Sequence, residues 1–194
     1  MNAFIVIVCG YFIGSIPFAF LLARREGVDL RTSGSGNVGA SNVMRTTGLS
    51  IGVLAMMLDG LKGAVSVLLA ERIAAASIAP VAAGLASMLG HVYPPWLRFR
   101  GGKGVATAAG AFAVLAPAAA VAASLVFIIS VAATRIISVG SVTAAVTLVM
   151  VTMLARSSGA VIAGAVVAAA IILFRHRSNI ARIVAGTERR VGGV

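Results

Sequence analysis

Two short segments crowd polar side chains among glycines, the first with hydroxyls, amides and arginines, the second with a histidine, a threonine and cations. The first, VDLRTSGSGNVGASNVMRTTG, runs from Val28 to Gly48 and crowds Ser33, Ser35, Gly36, Asn37, Ser41, Asn42 and Arg45 together. Small residues from Ser33 to Gly36 let the backbone fold tightly. Asn37 is then expected to cap a short helix over Val38 to Thr47, with Gly48 as its stop. Free N–H groups at such a turn suit an anion, and Asn42 and Arg45 are expected on the face turned to it. The competing reading is an ordinary turn between two apolar helices. Gly34, Gly36 and Gly39 also spell the G-x-G-x-x-G of dinucleotide folds, with Asp59 twenty residues downstream as that fingerprint asks. The fingerprint needs a preceding strand, and here an apolar helix precedes it.

The second segment, GHVYPPWLRFRGGKGVATAAG from Gly90 to Gly110, sets Gly101, Gly102 and Gly104 around Lys103 just before a helix, with Thr107 in its first turn. A lysine on a glycine hinge is a phosphate ligand by charge and by N–H geometry. The alternative is a basic interfacial loop. Tyr93, Trp96 and Phe99 are expected as interfacial anchors. His91 is left open between helix-end packing and a polar contact in the site. Asp59 and Lys62 share a helix face inside an apolar run, so they are expected to pair and face a polar cavity, with Lys62 a substrate-binding candidate. A purely structural pair is the other reading.

The tail FRHRSNIARIVAGTERR is expected to continue the last apolar helix, with Arg175, Asn179 and Arg182 on one face and His176 one turn from Asn179. Glu188, the only acid there, could orient a basic neighbour. Ser141 offers a hydroxyl near a helix end. Two histidines and five carboxylates are too few for a metal site, and His91 and His176 lack an H-x-x-x-x-D partner, so metal-free, cofactor-free chemistry is expected. Cys9 is the only cysteine and is expected to be packing.

The elements that must position these residues are membrane helices. Of 194 residues 60% are hydrophobic and 11% charged, with mean hydropathy +1.06, a composition that leaves too little polar surface for a water-soluble domain. Apolar runs lie near 3–23, 51–70, 74–92, 137–153 and 157–174, and a longer one from Val105 to Ala133 is divided by Pro117. If that long run crosses twice, every basic residue except Arg72, Arg156 and the intramembrane Lys62 falls on one side. About seven crossings are therefore expected, with the N-terminus outside and the C-terminus cytoplasmic. The first run, with Arg24 and Arg25 after it rather than before it, reads as a retained span. The +11 net charge reflects cytoplasmic loops rather than nucleic-acid binding. A single membrane-embedded domain over 1–194 is expected, its alanine- and glycine-rich helices closely packed.

Taken in order, SGSGNVGASNVMR, LDGLKG, GHVYPPWLRFRGGKGVATAAG and FRHRSNIARIVAGTE resemble the bacterial acyl-phosphate-dependent glycerol-3-phosphate acyltransferases, the family that starts phospholipid synthesis. The resemblance covers nearly the whole chain. It implies a seven-helix enzyme of the bacterial inner membrane with its site on the cytoplasmic face, moving a fatty acyl group from acyl phosphate to the 1-hydroxyl of glycerol 3-phosphate. Lysophosphatidic acid and inorganic phosphate would be the products, with neither coenzyme A nor acyl carrier protein required. It assigns phosphate binding to Ser35, Asn37, Arg45 and Lys103, with Ser141, His176 and Asn179 completing the pocket. The proton acceptor would be His176 or a substrate phosphate oxygen. A carrier for an organic phosphate and a lipid-binding scaffold are the readings from other classes.

Overall fold

Where lipid replaces water, each backbone polar group must find its partner inside its own segment, and long apolar runs therefore become helices. The structure is a computed structural model and describes residues 2–74 and 78–192; among these, all regular elements are helical. The chain divides into two compact units, residues 1–115 and 116–194.

The first unit opens with α1 (Asn2–Gly14) and α2 (Phe18–Arg25), one apolar run interrupted where Pro17 offers no N–H. Then come α3 (Ala40–Thr46), α4 (Leu49–Ile73), α5 (Ala79–Val92), a 3₁₀ turn (Pro95–Leu97) and α6 (Val105–Leu115). The expected start of the third run falls partly on residues 75–77, outside the described residues. Small residues bring these helices together. A Cβ on Gly14 would stand 1.9 Å from the Ser87 carbonyl oxygen, and one on Gly63 2.1 Å from that of Thr107. Only hydrogen fits at such contacts, so α1 lies directly on α5 and α4 on α6.

The second unit holds α7 (Pro117–Thr134), α8 (Ile137–Leu154), α9 (Gly159–Arg175) and α10 (Arg177–Val184). Pro117 in the first turn of α7 marks the division foreseen in the long apolar run. Arg135, in the left-handed region at φ 59°, links α7 to α8, and the Ser130 and Thr143 hydroxyls lie 3.0 Å apart between them. Ser158 accepts from the N–H of Val161 and caps α9.

Among the described residues four segments are long and apolar enough to cross a bilayer: Asn2–Arg25, Leu49–Ile73, Pro117–Thr134 and Ile137–Leu154. The pair α9 and α10, bent by 58°, makes a fifth if taken as one span. At 14 and 11 residues, α5 and α6 reach roughly 21 and 16 Å, short of the ~30 Å hydrocarbon core. A count of seven thus requires both to cross as abbreviated helices.

The tail corrects one expectation. It does not prolong α9 but turns at His176. The backbone N–H of His176 and its ring Nδ1 both meet the Ile172 carbonyl, at 2.9 and 2.8 Å, while Arg177 Nη1 donates to the carbonyl of Phe174. Side chains thus take up carbonyls at the end of α9, and Arg175 lies on a different helix from Asn179 and Arg182.

Candidate active site

In the first loop the organiser is Asn42, fully buried on α3. Its amide nitrogen donates to the carbonyls of Leu30 (3.2 Å) and Ser33 (3.0 Å), and its oxygen accepts from the N–H of Ser35 (2.8 Å). Ser33 to Gly36 therefore wrap around one side chain. Gly34 has φ +61°, and a Cβ there would stand 2.3 Å from Asn42 Oδ1, so glycine is required twice over. Asn42 turns inward, whereas Ser35, Gly36 and Arg45 are exposed and Ser33 and Asn37 half-buried. Asn42 and Arg45 thus do not share an outward face. Asp29 accepts from the side chain and the backbone N–H of Arg31, and these bonds hold its carboxyl down to about 2.

Asn37 does not cap α3. The helix starts at Ala40 with Gly39 at its cap position, and no side chain makes the cap bond. The local cap preference is overridden because Val38 is drawn into an apolar cluster with Ala19, Ala23, Leu30, Val43 and Ala55, which leaves Gly39 extended. This extension brings the two loops together: a Cβ on Gly39 would lie 4.0 Å from the Cα of Gly102.

The second loop folds back on the end of α5. The N–H groups of Gly101 and Gly102 donate to the carbonyls of Val92 (3.0 Å) and His91 (3.1 Å), taking up acceptors that a helix end leaves open. Gly104, at φ +83°, turns the chain into α6, and Lys103 between them is half-buried. Thr107 is fully buried at the contact of α6 with α4 rather than at the loop. Trp96 and Phe99 are more than half exposed, as anchors would be.

Behind both loops lies a buried charge cluster. Lys62 Nζ stands 2.8 Å from Asp59 Oδ1 and donates to the carbonyl of Ile16, 3.0 Å away, at the break before Pro17. The imidazole Nδ1 of His91 is 3.5 Å from the same Asp59 oxygen. A small cleft is lined by Ile16, Val38, Asp59, Lys62, His91 and Gly102, among others. The pair of Asp59 and Lys62 was legible in the sequence; the part of His91 was not.

In the second unit a carboxylate is the organiser. Glu188 accepts from Ser138 Oγ (2.9 Å), Asn179 Nδ2 (2.5 Å) and Arg182 Nε (2.7 Å). Burial pushes its carboxyl up, but the donations from Asn179, Arg182 and Ser138 outweigh that and hold it below the ordinary value. The N–H of Val191 donates to the carbonyl of Arg135, so the tail lies along the α7–α8 link. His176, on the hinge, is buried. A carbonyl only accepts, so its Nδ1 carries the proton toward Ile172, and Nε2 of the neutral ring is the acceptor. Ser141 is buried and donates to the carbonyl of Ile137 in its own helix. Ser138, one turn before Ser141, was missed; its only sequence signal is a second hydroxyl at helical spacing.

An all-helical membrane protein that brings two glycine loops, one of them carrying a lysine, against each other beside a buried ion pair is equipped to hold an anionic substrate. Residues 4–186 match the family described as glycerol-3-phosphate acyltransferase. The glycerol-3-phosphate acyltransferases of Geotalea daltonii and Myxococcus xanthus are 44% and 46% identical to this chain, over 97% and 95% of its length and 97% of each relative. A crystal structure of PlsY (YgiH), an integral membrane glycerol 3-phosphate acyltransferase, in its glycerol 3-phosphate form, matches with TM-score 0.94 and 40% identity, covering 99% of this chain and 96% of that one. The lysophosphatidic acid form of PlsY matches with TM-score 0.92 and 39% identity over the same shares. The chain belongs to the glycerol-3-phosphate acyltransferase family, membrane enzymes of phospholipid synthesis.

Proposed function

We propose that this chain transfers a fatty acyl group from acyl phosphate to the 1-hydroxyl of glycerol 3-phosphate, releasing lysophosphatidic acid and inorganic phosphate. The observation that carries the reading is the meeting of the two glycine loops at Gly39 and Gly102. Both substrates bear a phosphate, and two adjoining loops that carry Arg45, Lys103 and exposed hydroxyl and amide side chains suit a pair of phosphates held side by side. Ser33, Ser35, Gly36, Asn37 and Arg45 contact substrate from the first loop, Gly102 and Lys103 from the second, and Asn42 acts by shaping the first.

The step itself needs little covalent help. The glycerol oxygen attacks the acyl carbon, the bond from that carbon to the phosphate oxygen breaks, and phosphate departs with the electron pair. A good leaving group makes an acyl-enzyme unnecessary, so orientation and stabilisation of the oxyanion dominate, with Lys103 or backbone N–H groups as donors. His176 Nε2 takes the hydroxyl proton directly, or a phosphate oxygen does so while His176 and Asn179 orient the acceptor; Ser141 completes the polar surroundings.

The protein acts as a single domain over 1–194. It crosses a bacterial inner membrane seven times with α5 and α6 as short spans, the N-terminus outside and the active site cytoplasmic, as the loop charges ask. Coenzyme A and acyl carrier protein are not needed, because the donor's own phosphate is what the site holds.

The test is phosphate release by purified protein in detergent from palmitoyl phosphate. Release should require glycerol 3-phosphate and yield one lysophosphatidic acid per phosphate, with palmitoyl-coenzyme A inert. Efficient use of the coenzyme A ester would overturn the donor assignment. Saturable binding of glycerol 3-phosphate without transfer would favour a carrier, which cannot transport where no compartments exist.

A further inference from the structure

We propose that His91 is a positioning residue: bracketed between Asp59 and Gly102, it fixes the backbone that presents Lys103, and the buried pair of Asp59 and Lys62 acts through it rather than on substrate. The inference rests on the reading of Lys103 as a phosphate ligand.

Each edge of the imidazole has a neighbour. On one edge Nδ1 stands 3.5 Å from Asp59 Oδ1. On the other, Nε2 lies where a side chain of residue 102 would begin, 2.1 Å from a Cβ built on Gly102. The main chain repeats the contact, since the carbonyl of His91 accepts from the N–H of Gly102 and would stand 2.1 Å from a Cβ on Gly101. Gly101 and Gly102 therefore lie flat on His91, and the ring is the wall that sets where Lys103 leaves the loop.

The ring is in turn held from behind. Asp59 is 2% and Lys62 3% exposed, and a buried carboxylate keeps its place only while its cation does. Lys62 is anchored by the Ile16 carbonyl at the break between α1 and α2. One polar line thus runs from that break through Lys62, Asp59 and His91 to Gly102. It explains why a lysine and an aspartate lie buried inside an apolar helix. A carboxylate beside Lys62 also makes this position a poor one for a second anion.

The experiment is a double-mutant cycle with an independent structural readout. His91→Ala should lower kcat/KM for acyl transfer at least tenfold. His91→Asn, which keeps a donor near the Nδ1 position, should recover at least threefold of that loss, and His91→Gln should not. In a Lys103→Ala background His91→Ala should cost less than twofold, because a residue acting only through Lys103 has nothing left to position. Limited trypsin digestion in detergent should cut His91→Ala after Lys103 at least fivefold faster than wild type, with cleavage after Arg24 and Arg25 unchanged. Additive losses, or unchanged cleavage after Lys103, would overturn the inference. If His91→Ala fails to fold, the comparison of Asn with Gln, by transfer and by digestion, decides. Absence of transfer by wild type would instead defeat the proposed function, and digestion would still judge the positioning.

Discussion

Gly39 and Gly102 lie against each other, a Cβ on the first standing only 4.0 Å from the Cα of the second. Two segments distant in sequence thereby become one surface, and each is held there by a buried polar side chain, Asn42 for the first loop and His91 for the second.

Adding one methyl at this seam should be felt in catalysis. Gly102→Ala would drive a Cβ into the His91 ring, and we expect acyl transfer to fall at least tenfold. Gly159→Ala, where a Cβ meets nothing, should leave activity unchanged and the thermal midpoint equal or slightly higher. Equal losses at both positions would mean that the packing of Gly102 is incidental.

Charge and location should be separable. Lys103→Ala and Arg45→Ala should each reduce kcat/KM at least tenfold, since a charge-assisted contact to phosphate contributes about 1.5–3 kcal/mol, while folded protein persists in the membrane. Arg189→Ala should do little. If Arg189 matters as much as Lys103, the cations act as a diffuse basic surface and the loop assignment fails.

Glu188 should make the second unit acid-sensitive. Its carboxyl is held below the ordinary value of 4.5, so the stability it contributes is present above that value and lost as pH falls through the lower folded value. At neutral pH Glu188→Gln should lower the thermal midpoint and, by loosening Asn179, activity. The gap in midpoint should then close on acidification from about pH 6 towards pH 3. A gap that stays constant over this range would show that the carboxylate charge is not what holds Ser138, Asn179 and Arg182.

Topology can be read with single cysteines in a Cys9→Ala background. An impermeant thiol reagent applied to intact cells should label Ser157→Cys and spare Thr32→Cys and Thr187→Cys. Labelling of Thr187→Cys from outside would sink the proposed orientation.

Much of this protein is written locally in its sequence. Helix positions follow from runs of apolar residues and the break at Pro117 from a missing N–H, because both depend only on neighbours along the chain, whereas the run near 3–23, expected unbroken, is interrupted at Pro17 by the same cause. The pairing of Asp59 with Lys62 is equally local, one helical turn being enough to bring them together. The glycine loops were legible in composition as tight polar turns, but not in shape. Asn37 has the chemistry of a helix cap, yet burial of Val38 pulls the chain straight past it, and Asn42, which reads as a ligand, turns inward to hold the loop. Nothing in the tail announces a bend at His176, since neither proline nor glycine stands there; the Ile172 carbonyl and the histidine ring make it between them. Glu188 was legible as an acid able to orient a basic neighbour, and Arg182 is that neighbour, but only the tertiary structure could set His91 between Asp59 and Gly102 or bring Ser138 to Glu188. These partners sit on different elements, and which side chains meet is decided by how closely the helices pack, a distance set by many glycines and alanines acting together rather than by any residue that takes part.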